Sequence, residues 1–148
     1  MLIAVAAMGV ALAAWFWPRS SVAVVSTTVV PSASEELGTW TGTYTCGQGL
    51  TGMTLDITQV GVDKVDADFE FYPVGNPAVA SGRGALQGTY TSGHLSLIWQ
   101  DFTWNPADYI GVDFDGSLSE SGATQMISGT VVALPGGNPC TTFSVIHM

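Results

Sequence analysis

The chain has 148 residues, enough for one domain with a real core and an N-terminal extension. Hydrophobic residues make up 47% of it but charged residues only 10%, against roughly 25% in an average soluble domain. Thr, Ser, Gly, Asn and Gln must therefore cover the surface, as is common in exported β proteins. The formal net charge is −9 and the cations are Arg19, Lys64 and Arg83. Three scattered cations cannot displace the counterions of a phosphate backbone, so nucleic acid is excluded as a partner, and anionic headgroups would repel the acidic domain.

The first predicted element is residues 1–18. Leu2 to Trp17 are unbroken apolar and end in W-F-W-P-R. As a helix they cover about 24 Å, slightly short of a ~30 Å hydrocarbon core. A cleaved signal peptide would use Ala11-Leu12-Ala13 as its small-x-small site, but no basic segment precedes the apolar run. The preferred expectation is a retained single-pass membrane anchor. Trp15, Phe16 and Trp17 then lie at the membrane interface, and Pro18 ends the helix. Ala7 with Ala11 and Gly9 with Ala13 are small-xxx-small pairs that let another helix approach closely. Residues 19–37, rich in Ser, Thr, Val and Pro, read as an extended linker.

Residues 38–148 form the domain proper. From Gly38 the sequence alternates with a period of two. Trp40, Tyr44 and Cys46 share one face of the first strand, and Thr39, Thr41, Thr43 and Thr45 the other. Met53, Leu55 and Ile57 mark a second strand. Val65, Ala67, Phe69 and Phe71 mark a third, with Asp66, Asp68 and Glu70 pointing outward. Leu86 to Thr91 and Leu95 to Trp99 flank Ser92-Gly93, a hairpin signal. Further strands are expected at Ile110 to Leu118, Met126 to Leu134 and Thr142 to His147. Gly, Pro, Asn and Ser hold the turns between them. The fold class is all-β, an antiparallel meander of about eight strands forming a small barrel or a sandwich. G-T-Y-T occurs at Gly42 to Thr45 and again at Gly88 to Thr91, a strand pattern reused with Gly at a bend.

Cys46 and Cys140 stand at strand edges, and two thiols alone cannot complete a tetrahedral metal site. In an exported chain the pair reads as one disulfide, worth on the order of 4 to 5 kcal/mol by chain entropy. It would tie the end of the first strand to the start of the last, which favours a closed barrel. It also places the domain outside the cytoplasm. Arg19, at the C-terminal end of the apolar run, nominally argues the reverse, but one arginine is a thin bias.

No catalytic residues, cofactor or metal are expected. His94 sits in the hairpin turn and His147 is penultimate, so neither is placed for a catalytic pair. There is no phosphate loop, nucleophile elbow or His cluster. The rows Asp66, Asp68, Glu70 and Asp113, Asp115 read as solvated strand faces; calcium would need both rows to meet. The most unusual stretch is Trp99 to Tyr109, W-Q-D-F-T-W-N-P-A-D-Y. Trp99, Phe102, Trp104 and Tyr109 gather in one expected connection, either to touch a partner or to plug the barrel end.

The Y-T-C start, the S-G-x-L-x-L-x-W stretch at Ser92 to Trp99 and the late cysteine resemble the small β-barrel inhibitors of c-type lysozyme. The resemblance implies an exported or lipid-anchored envelope protein with a barrel fold. This sequence departs from that family in lacking its lipid-attachment cysteine and a copy of its inhibitory loop.

The expectation that follows is a non-catalytic, membrane-anchored accessory subunit of an integral-membrane assembly, such as a respiratory or photosynthetic complex. Its single pass lies in the inner membrane and its domain in the periplasm or outside. Its partners would be integral-membrane subunits and, through the helix, the lipid bilayer. The alternative is an exported envelope binding module, such as a lysozyme inhibitor or a glycan binder.

Overall fold

A computed structural model describes residues 38–105 and 109–148. The expected helix, with Ala7, Gly9, Ala11 and Ala13 and with Trp15, Phe16 and Trp17, lies outside the described residues, as does the linker.

Eight strands follow in order: β1 (Gly38–Cys46), β2 (Gly49–Gly61), β3 (Lys64–Pro73), β4 (Gly82–Thr91), β5 (His94–Trp104), β6 (Val112–Ser121), β7 (Thr124–Ala133) and β8 (Cys140–His147). Each pairs antiparallel with the next, and β8 returns to β1, closing a barrel. The alternation seen in the sequence is the cause. Trp40, Tyr44 and Cys46 are buried while their Thr neighbours face out, and Met53, Leu55 and Ile57 repeat the pattern on β2. Val65, Ala67, Phe69 and Phe71 do the same on β3, with Asp66, Asp68 and Glu70 on the outer face. Slipping any strand by one residue would exchange these two faces. The interior is therefore a continuous apolar core, in which each fully buried large side chain contributes roughly 1.5–3 kcal/mol.

Ser92 and Gly93 form the expected hairpin, both in the left-handed region with φ of 52° and 78°, as a tight two-residue turn between twisted strands requires. The repeated G-T-Y-T serves one purpose twice. A methyl group at Gly42 would overlap the Ser144 carbonyl of β8, and one at Gly88 the Ser96 carbonyl of β5.

Antiparallel order gives the barrel two distinct ends. The lower end carries Gly38, where the preceding chain joins, the C-terminus of β8, and the turns at residues 62–63, 92–93 and 122–123. The upper end carries the turn at 47–48 and the longer connections at 74–81, 105–111 and 134–139. The Cys46–Cys140 disulfide lies at this upper end, linking residues that are register partners on β1 and β8.

Most strands run a few residues beyond or short of the sequence reading, and the largest difference is at the end of β5. Trp99 to Trp104 belong to β5, which was expected to end at Trp99. Its inner ladder to β6 stops early: pairing runs only from His94↔Ser117 to Leu97↔Phe114. Above that point β5 stays paired to β4, through Arg83↔Trp104, while its other edge is free of the β6 ladder. The barrel wall thus opens at one seam.

Candidate functional site

The opened seam and the aromatic residues above it create a pocket of about 290 Å³ at the upper end. Its walls come from Tyr44, Phe69, Phe71, Trp99, Phe102 and Tyr109, joined by Ile110, Val112 and Ala133. Gln48, Asn138 and the disulfide complete one side. None of the described residues lining it carries a charge.

Trp99 holds the open seam. Asp113 Oδ1 accepts a hydrogen bond from the Trp99 backbone N–H at 2.8 Å, taking the place of a ladder carbonyl. The indole lies in a slot between Gly84 and Gly111, where a methyl group at either position would overlap the ring. Its face meets Phe102 with centroids 4.5 Å apart, and it stands edge-on to Phe69. Both Trp99 and Phe102 pack against the core.

Tyr109 is fixed from two directions. Its hydroxyl accepts the Ala80 N–H of the β3–β4 connection at 3.0 Å. The Asn105 side chain bonds both its backbone N–H and its carbonyl, pinning the ends of the β5–β6 connection together. The ring stacks on Phe71 at 5.1 Å. Tyr44 forms the inner floor. Burial, and after it the nearby Tyr109 phenol, push the Tyr44 hydroxyl above its ordinary range, against hydrogen bonds with the Thr51 and Gln48 side chains. It is a neutral phenol at any physiological pH.

The aromatic group seen in the sequence is thus divided. Trp99, Phe102 and Tyr109 turn into the mouth, whereas Trp104 stands outside with 55% of its surface exposed. Gln48, Asn138, Gly84 and Gly111 were missed, since only the topology brings the two amides to the mouth and the two glycines against Trp99.

The carboxylate rows lie on β3 and β6, with β4 and β5 between them, so the structure does not bring them together. Among the described residues no group of three or more His, Cys, Asp and Glu side chains could hold a metal ion. The second row is also not simply solvated: Asp113 holds Trp99, and Asp115 lies 3.1 Å from His94 Nε2. A second recess, of about 330 Å³, lies on the outer face among Asp56, Asp68, Glu70 and Arg83. It is bounded by exposed charges, including the Arg83–Glu70 ion pair at 3.1 Å.

His94 begins β5, at the edge of the hairpin. The sequence reading gave it no catalytic placement, yet it sits between Asp115 and Ser117, whose Oγ is 3.5 Å from Nδ1. These are the residue types of an acyl-transfer triad. The three lie on an exposed outer strand face and line neither pocket. Such a triad needs a cleft and converging donors for an oxyanion. His147, for its part, packs against Trp40.

The chain matches no protein-family model and no curated protein. The candidate site therefore rests on its own geometry.

Proposed function

We propose that this chain is a non-catalytic binding domain, tethered to the membrane by residues 1–18 and displayed outside the cytoplasm, that grips its target through the mouth of the barrel. The carrying observation is the aromatic pocket, uncharged among the described residues, at the end opposite Gly38. Eight-stranded barrels are just wide enough to be filled by side chains or to hold one small ligand, and this one has a pocket at its upper end. A tether at the lower end turns the mouth away from the bilayer. The linker at 19–37, if extended, gives it a reach of up to about 60 Å.

The exposed Trp104 beside the mouth, with Leu50 and Ile110 also exposed at this end, favours a second reading: a standing contact with a larger membrane assembly. Purification of the full chain from native membranes in mild detergent separates the two. A binding module runs as a free monomer, and lysozyme inhibition by that monomer identifies one particular target. Co-migration with a stoichiometric complex, weakened by Trp104→Ala, supports the accessory-subunit reading instead. A domain whose cysteines are reduced and protease-protected in intact cells overturns the extracytoplasmic placement shared by both.

A further inference from the structure

We infer that the mouth pocket takes a neutral small molecule of about two fused rings bearing one hydrogen-bonding group, an inference that rests on reading the chain as a binding domain. Size gives the first constraint. An apolar cavity of about 150 Å³ accepts benzene, and this one, at about 290 Å³, is roughly double.

Charge gives the second. Among the described residues an anion would meet no cation at the mouth: Arg83 lies on the outer face against Glu70, and Lys64 begins β3 at the lower end. The net charge of −9 adds long-range repulsion. A cation would need open ring faces to offset its desolvation. Here the rings engage one another: Phe71 stacks on Tyr109, Trp99 lies tilted against Phe102, and Phe69 stands edge-on to Trp99. An uncharged guest loses least on entering.

Polarity gives the third. Gln48 and Asn138 belong to the connections flanking β1 and β8, whereas Trp99, Phe102 and Ile110 come from β5 and the approach to β6, across the barrel. The pocket therefore has an amide-bearing side and an aromatic side. A ring system with one hydroxyl or amide fits by laying its rings on the latter and its polar group on the former, placed polar groups setting its orientation.

The test uses the full chain in lipid nanodiscs, with empty nanodiscs as the blank and equilibrium dialysis as the readout. The probes share one body: 2-naphthol, 2-naphthalenesulfonate and 2-naphthyltrimethylammonium. The expected result is 2-naphthol binding at least ten-fold tighter than either ion. Ile110→Trp, which narrows the mouth, and Phe102→Ala, which removes a wall, should each weaken it ten-fold or more. Gln48→Ala should weaken 2-naphthol several-fold and naphthalene hardly at all. Near-ultraviolet circular dichroism establishes that each variant keeps its fold. Tighter binding of an ion overturns the ligand class and leaves the binding-domain reading standing. Binding of 2-naphthol that neither Ile110→Trp nor Phe102→Ala alters overturns the site. Binding of no probe overturns the inference and leaves the binding-domain reading to be decided by the purification from native membranes.

Discussion

The two ends of the barrel are built from the same strands and solve different problems. At the lower end the chain reverses in the short turns at 62–63, 92–93 and 122–123, and Trp40, Leu55, Ile57, Val65, Leu95 and Ile127 fill the interior. Branched aliphatic side chains pack there around Trp40 and Tyr90, as in a close-packed interior. At the upper end most reversals are longer, and the interior is lined by rigid rings that meet edge to face. Flat rings in tilted contact leave gaps that methyl groups would fill, and the seam between β5 and β6 widens the gap into a pocket. The lower end is specified for closure and the upper end for contact. That is the usual division between a rigid scaffold and the connections it presents.

The largest test of this contrast asks what holds each end shut. The upper end depends on a covalent stitch, Cys46–Cys140, spanning 94 residues of sequence. Replacing both cysteines with serine should cost about 4–5 kcal/mol of stability by chain entropy, measured by urea denaturation. Amide exchange should rise first at the end of β1 and the start of β8. The lower end depends on packing. Trp40 is fully buried, and Trp40→Ala should cost about 4 kcal/mol through the cavity it leaves. A loss below about 1 kcal/mol would mean that the lower end is not closed as described.

The lower end was the more legible in the sequence. Strict alternation announced its strands, and Ser92-Gly93 announced its hairpin, because tight turns have demanding local chemistry. The even cysteine pair also gave the closure of the barrel, since it made the first and last strands neighbours. The mouth was harder to read. Trp99 to Tyr109 looked like one aromatic connection, but whether β5 continued past Trp99 depended on β4, which supplied pairing out to Trp104. The role of Asp113 was hidden for the same reason. An outward-facing carboxylate becomes the backbone partner of Trp99 only where a neighbouring ladder has ended. The glycines at 84 and 111 carried no local signal; their purpose is the ring that another strand places over them.

Those glycines sharpen the comparison at an intermediate scale. Gly84→Ala or Gly111→Ala forces a methyl group into the Trp99 indole, an overpacking that should cost about 1–3 kcal/mol. The near-ultraviolet circular dichroism of the mouth should change with it. Trp104→Ala, on the same strand but outside, should stay within about 0.5 kcal/mol of the parent. If Trp104→Ala destabilises as much as Gly84→Ala, the aromatic residues act as one plug, and the division between inner wall and outer contact fails.

The smallest effect concerns proton binding at the floor of the mouth. Burial, and secondarily the Tyr109 phenol, raise the Tyr44 hydroxyl above its ordinary value of 10.0. The folded barrel therefore holds this proton more tightly than the unfolded chain does. Below about pH 10 both states are protonated, and Tyr44 adds no pH dependence. Above it the unfolded chain ionises first, so stability falls as pH rises, by at most about 1.4 kcal/mol per pH unit until the folded state also ionises. Comparing urea midpoints at pH 9 and 11 should therefore show a loss that Tyr44→Phe reduces. The substitution removes the hydroxyl that bonds Thr51 and Gln48, so it lowers stability at pH 9 as well; the diagnostic is the smaller difference between the two pH values. An unchanged difference would mean that water reaches the phenol in the folded state. The polar floor of the pocket would then be open to solvent, unlike the buried core beneath it.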